Sequence, residues 1–176
     1  TRRRPSAALL AGWLLRRGVE PNAISVASVV FAAAAAASLV LVPRVGDPAR
    51  IALLVVAAAG IQLRLLANML DGMVAIEGGR RSATGDLYNE IPDRIADVLV
   101  LVAAGYAATW LSWGEALGWA AAVGALLTAY VRLLGGALGT EQHFCGPMAK
   151  PHRMAGLTAA CLAFIVEVAF GYDGRV

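Results

Sequence analysis

Residues 23–42 read AISVASVVFAAAAAASLVLV, a stretch without a single charge, glycine or proline. As a helix it is ~30 Å long at about 1.5 Å per residue, which is the thickness of a bilayer's hydrocarbon core. In lipid the backbone must satisfy its own hydrogen bonds, and a helix does so within one segment. A chain containing this run is therefore expected to fold as membrane-spanning helices, and the composition agrees. Hydrophobic residues make up 59% of the sequence and charged residues 15%, against ~25% charged in an average soluble domain; mean hydropathy is +0.68. With 176 residues and about 20 per span, five or six spans use nearly all of the chain as a single integral membrane domain, with no room for a soluble one. Cys145 and Cys161 show no metal-ligand spacing and read as free thiols. No short apolar region with a small-residue cleavage site is recognised at the start.

The expected architecture is an all-α polytopic transmembrane bundle. Residues 1–20 place Leu9, Leu10, Trp13 and Leu14 at helical spacing between arginines, the pattern of an amphipathic helix lying on an anionic leaflet. Spans are expected at about 23–42, 51–76, 86–110, 115–138 and 154–170. With the amino terminus cytoplasmic, one side of the membrane holds Arg2, Arg3, Arg4, Arg16, Arg17, Arg80, Arg81, Arg132, Lys150 and Arg153, and the other only Arg44, Arg50 and Arg175. This asymmetry satisfies the positive-inside rule. Five spans leave the carboxyl terminus outside, so a sixth span beyond Val176 is expected.

Against this apolar background, Asp71, Glu77, Asp86, Glu90, Asp93 and Asp97 put six of the twelve acids into residues 68–97, NMLDGMVAIEGGRRSATGDLYNEIPDRIAD. Asp86, Glu90, Asp93 and Asp97 stand at i, i+4, i+7 and i+11, one face of a helix, with Asn89 on its flank. Asn68, Asp71 and Ala75 share a face of the preceding span. Like charges entering a membrane repel one another and lose hydration unless a cation or a basic partner neutralises them. Oxygen donors without His or Cys suit Mg²⁺ or Mn²⁺, with Ca²⁺ a possible substitute, rather than zinc. The plainer reading has these acids capping a helix and pairing with Arg80, Arg81 and Arg94. Gly72 and Ala75 leave the span without bulk beside Asp71, so a ligand can approach the backbone. Ser82 and the Arg80/Arg81 pair on the connecting loop add phosphate-binding groups.

At these residues the chain resembles the CDP-alcohol phosphotransferases, membrane enzymes of phospholipid synthesis. Their signature is D-x2-D-G-x2-A-R-x8-G-x3-D-x3-D, and residues 68–93 read N-ML-D-G-MV-A-I-EGGRRSAT-G-DLY-N-EIP-D. Spacing agrees throughout. Asp71, Gly72, Ala75, Gly85 and Asp93 agree in identity, whereas Asn68, Ile76 and Asn89 depart; the pattern resembles a divergent bacterial subgroup with Asn at the first and third acids. GVEPNAIS resembles the family's Pro-Asn segment, and AYVRLLGGALG with GPMAKPHRM its phosphate-acceptor region.

The resemblance implies transfer of a substituted phosphate from a CDP-alcohol, such as CDP-diacylglycerol, to an alcohol acceptor with release of CMP. It implies Asn68, Asp71, Asn89 and Asp93 as ligands of one or two divalent ions, Asn serving through its amide oxygen, and Asp93 as the base that deprotonates the attacking hydroxyl. Asn22, Ala23, Gly72, Ala75 and Ser82 would line the nucleotide pocket. Two amides in place of carboxylates remove two negative charges, which Glu90 and Asp97 could restore. Ile76 stands where the family has an arginine for the diphosphate, so that role falls to Arg64, Arg80 or Arg81; Arg64 equally suits a salt bridge to Asp71 or Asp97. Arg132, Lys150 and Arg153 can grip one anionic group, which points to a phosphorylated polyol as acceptor, although positive-inside topology asks for the same residues. His143 and His152 lack ligand spacing. The expected setting is a bacterial inner membrane with the site cytoplasmic, a homodimer packed through Ala/Gly-rich faces, and no nucleic-acid partner. Two other classes stay open: a relative that binds nucleotide or lipid without turnover, and an ion-coupled transporter using the intramembrane acids, against which stands the lack of corresponding broken helices.

Overall fold

The computed structural model describes residues 5–77, 85–140 and 149–171, with side chains for all of these except 5, 6, 75–77 and 85–89. Among the described residues six α-helices follow one another: α1 (Pro5–Arg16), α2 (Pro21–Leu41), α3 (Asp47–Glu77), α4 (Gly85–Ala107), α5 (Gly114–Ala137) and α6 (Lys150–Ala169), with a 3₁₀ turn at Val42–Arg44 between α2 and α3. Among the described residues there is no strand. The fold is a helical bundle.

Local chemistry sets the helix ends. Pro21 and Pro151 sit in the first turn of α2 and α6, where the missing N–H has no intrahelical partner to lose. This is why α6 begins at Lys150 rather than at the expected 154. Gly18 and Gly139 take positive φ (71° and 80°) and close α1 and α5: Val19 N–H bonds the Leu14 carbonyl and Thr140 N–H the Gly135 carbonyl, as in a Schellman cap. α4 ends at Ala107, short of the expected 110, because Thr109 and Leu111 turn back onto the Ala107 and Ala108 carbonyls.

Among the described residues four helical stretches are long and apolar enough to cross a membrane: Pro21–Arg44, Asp47–Val74, Gly114–Ala137 and Lys150–Ala169. α4 is not among them, since Glu90, Asp93, Arg94 and Asp97 interrupt its first half. Packing runs through small residues. α2 lies between α3 and α4, α6 and α1 cover other parts of α3, and α5 packs on α4. Ala32, Ala35 and Ala36 of α2 are buried, and a Cβ at Gly60 of α3 would stand 2.8 Å from the Phe31 carbonyl oxygen. Such close approach is how helices associate where lipid removes the hydrophobic drive between them. Outward, Val26, Val30, Val56, Leu117, Leu127 and Val166 are exposed, an apolar exterior suited to lipid.

α1 divides its apolar residues differently from the sequence expectation. Ala7 and Ala11 are buried and Leu14 and Leu15 turn toward Ile24, Ala67 and Leu70, while Leu9, Leu10 and Trp13 remain exposed. The bundle captures the face carrying Leu14 because α1 packs on α3.

Candidate functional site

One central layer of the bundle is made by Ala32, Ala35, Ile61, Ala96, Val100 and Met154. One turn farther along α3 and one turn back along α4 the interior becomes polar. Arg64, Asp71, Asp93 and Asp97 are buried in an otherwise apolar protein, and α6 contributes Lys150 and Arg153. Asp93 is the hub. Its Oδ1 accepts from Arg64 Nη2 at 3.0 Å, from Asn68 Nδ2 and from Lys150 Nζ; its Oδ2 accepts from Arg94 Nη2 at 2.6 Å. Asp97 accepts from Arg64 Nη2 at 2.5 Å and from Arg153 Nη2 at 3.1 Å. Glu90 accepts from Arg132 Nη2 at 3.0 and 3.2 Å and pairs with Arg94 at 3.1 Å. Side chains from α3, α4, α5 and α6 thus meet on three carboxylates of α4 spaced one turn apart.

The charges explain why this arrangement tolerates burial. A buried carboxylate costs several kcal/mol (roughly) in desolvation unless it is paired and hydrogen-bonded. Here Asp71, Glu90, Asp93 and Asp97, four negative charges, are set against Arg64, Arg94, Arg132, Lys150 and Arg153, five positive ones. The described cluster is neutralised by its own bases with one positive charge over. Arg64 takes the salt bridge to Asp97 that is one of its two sequence readings, and adds Asp93. Glu90 and Asp97 are each engaged by two arginines.

Asp71 differs from the α4 acids. It is buried on α3, and its donors are neutral: Ser25 Oγ to Oδ2 at 2.7 Å and its neighbour's amide, Gly72 N, to Oδ1 at 2.6 Å. Each oxygen keeps a lone pair. Asn68 lies one turn earlier; its amide nitrogen is given to Asp93, which leaves its oxygen as an acceptor. Among the described residues, nothing lies within 4 Å of a Cβ built at Gly72, so the α3 backbone next in sequence to Asp71 is open to close approach. The Asp71 and Asn68 oxygens are hard donors, of the chemical type that suits Mg²⁺ or Mn²⁺. Among the described residues no group of three or more His, Cys, Asp or Glu is placed to hold a metal ion.

The remaining expected residues fall as follows. Asn22, half-buried, and Ala23, exposed, open α2 one turn before Ser25, which ties that end of α2 to Asp71. The side chains of Ala75 and Asn89, and all of Ser82, Arg80 and Arg81, lie outside the described residues. Ser25 is a contact that the sequence does not single out for the site, whereas the pairing of Arg94 with Glu90 and Asp93 is the plainer expectation for these acids. Ser25 follows Asn22 at i+3 and so shares its helix face, a signal present in the sequence; Arg94 stands at i+4 from Glu90, the spacing of a helical ion pair.

Comparison with known proteins finds no matching family model, no matching curated protein and no matching solved structure.

Proposed function

We propose that the protein is a metal-dependent CDP-alcohol phosphotransferase, transferring a phosphatidyl group from a lipid-linked CDP-alcohol to a phosphorylated polyol with release of CMP. The observation that carries the reading is the meeting of two separate sequence features at one carboxylate. Asp93, the last acid of the signature-like run, is in contact with Asn68, its first position, and with Lys150 of the acceptor-like segment. A base beside an anion-binding lysine is what attack by the hydroxyl of a phosphorylated acceptor requires.

In this account Asp71, Asn68, Asn89 and Asp93 would hold the divalent ions, and Gly72, Ala75, Asn22, Ala23 and Ser82 would admit the nucleotide. When bound, the metal neutralises charge developing on the departing CMP. The chain's own residues do the rest. Arg132, Lys150 and Arg153, now spent on Glu90, Asp93 and Asp97, exchange those carboxylates for the acceptor's phosphate, for which Arg offers a bidentate grip. Withdrawal of Lys150 frees Asp93 Oδ1 to take the hydroxyl proton. The buried position of Asp93 excludes competing water. Five spans with α4 as one of them, an interfacial α1, a cytoplasmic site, a bacterial inner membrane and a homodimeric assembly complete the proposal; the four long apolar helices and the exposed apolar residues support its membrane part.

A second reading is favoured by one feature: Asp93 is already engaged by four donors of its own chain, which a metal or a substrate hydroxyl would have to displace. On that reading the protein binds nucleotide or lipid and does not turn over. Purified protein with Mg²⁺ or Mn²⁺, labelled CDP-diacylglycerol and a panel of polyols and polyol phosphates separates the two. Metal- and acceptor-dependent CMP release is expected; nucleotide binding without CMP release under every combination selects the second reading.

A further inference from the structure

Arg64 is the bulkiest of the fully buried side chains, with no exposed surface. Burying a guanidinium in the middle of an apolar helix is costly, and a hydrophobic residue of similar size there is often neutral or better for stability. Its contacts are specific. A single nitrogen, Nη2, reaches both the side-chain Oδ1 and the backbone carbonyl of Asp93, at 3.0 and 3.3 Å, and Oδ1 of Asp97 at 2.5 Å. Gripping the main chain and side chain of one residue at once restricts that side chain's rotamer. Asp97, one turn along α4 and fully buried, accepts from the same Nη2 and is itself held by Arg153 of α6.

The neighbouring sequence gives Asp93 a need for such a hold. Pro92 stands inside α4 and has no N–H to return to the carbonyl four residues earlier, so the turn that presents Asp93 lacks one of its own hydrogen bonds. Fixing Asp93 from α3 compensates. The same geometry bears on the alternative role for Arg64 as a diphosphate contact: the side chain has no exposed surface and its Nη2 is committed to two aspartates, while its buried Nε and Nη1 have no partner among the described residues, so the kinetics of Arg64 variants separate the two roles.

We infer that Arg64, held by Asp97, is a positioning residue that fixes the Asp93 carboxylate for proton abstraction. The inference rests on the reading of Asp93 as the base. It reassigns Asp97: with Oδ1 on Arg64 and Oδ2 on Arg153, it serves the arginines and is not a substitute metal ligand.

The test uses Arg64→Gln and Arg64→Lys in the full chain, with two readouts. The first is CMP-release kinetics. Misplacing a reacting group by about 1 Å costs on the order of 100-fold, so Arg64→Gln should lower kcat by about that factor with KM for the CDP-alcohol changed by less than about threefold, and Arg64→Lys should recover part of the loss. Unchanged kcat, or a raised KM at constant kcat, overturns the inference; the latter would make Arg64 a nucleotide contact. The second readout, independent of turnover, is a thermal-unfolding cycle of Arg64→Gln with Asp93→Asn in detergent. Residues in contact couple, so the double variant's loss in Tm should be smaller than the two single losses together; strict additivity overturns the hold on Asp93. Absence of CMP release from the unaltered protein sinks the enzyme reading, and the cycle alone then decides whether Arg64 holds Asp93.

Discussion

Substituting Gly118 tests how the bundle keeps α5, and with it Arg132, against α4. A Cβ placed at Gly118 would stand 2.9 Å from Gly105 Cα and 3.0 Å from the Leu101 carbonyl oxygen. Both are backbone atoms, so neither can rotate aside, and ordinary carbon contacts need about 3.5–4.0 Å. The helices must therefore part by ~0.5–1 Å at this crossing, which forfeits a quarter to a half (roughly) of each contact's attraction there. Overpacking of this kind costs about 1–3 kcal/mol. Ala gains about 0.5–1 kcal/mol over Gly within a helix, so Gly118→Ala should lose roughly 1–2 kcal/mol net, or about 5 °C in Tm for a chain of this size. Gly124, six residues along on the same helix, is the control: among the described residues nothing lies within 4 Å of its Cβ position. Gly124→Ala should be neutral or raise Tm by roughly 2 °C. Thermal unfolding of both in one detergent decides the matter; equal shifts of the same sign would refute the close α4–α5 crossing.

Other expected outcomes concern the site. Asp93→Asn should abolish CMP release while metal-dependent nucleotide binding, followed by equilibrium dialysis, is retained; Asp71→Asn should lose that binding, and equal activity in the two variants would contradict their division of roles. Ser25→Ala removes the hydroxyl donated to Asp71 and should destabilise by about 1.5–3 kcal/mol, in keeping with a hydrogen bond to a charged group, measured as a fall in Tm; an unchanged Tm would mean the bond contributes nothing. Restoring Asn68→Asp and Asn89→Asp together should tighten Mn²⁺ binding measured by titration calorimetry, and unchanged affinity would show that the two amides cost the site nothing.

Much of the architecture was legible because it depends on run length and helical period. The helices α2 to α6 fall on the stretches expected from apolar runs, and their ends differ by only a few residues, where Pro151 starts α6 early and a turn after Ala107 stops α4. The run 32–37 reads as small-residue packing and supplies Ala32, Ala35 and Ala36 to the interior. Spacing along single helices also showed that Glu90, Asp93 and Asp97 share a face. What spacing along one helix does not encode is which partner arrives from another. That Lys150 and Arg153 reach α4 carboxylates, that Ser25 closes on Asp71, and that Arg64 adds Asp93 to its expected partner Asp97 depend on how α2, α3, α4 and α6 are set against one another. The α1 face likewise followed its contact with α3 rather than its own pattern: Leu14 turned inward although its spacing matches Leu10 and Trp13.

The central claim is that Asp93 serves as the base of a CDP-alcohol phosphotransferase. The most direct test is CMP release from labelled CDP-diacylglycerol by purified protein and by Asp93→Asn, each with Mg²⁺ or Mn²⁺ and each with free or phosphorylated polyols. The account predicts release by the unaltered protein that requires metal, is fastest with a phosphorylated polyol, yields a phosphatidyl product and disappears in Asp93→Asn. CMP release absent with every metal and acceptor, or undiminished in Asp93→Asn, would contradict it.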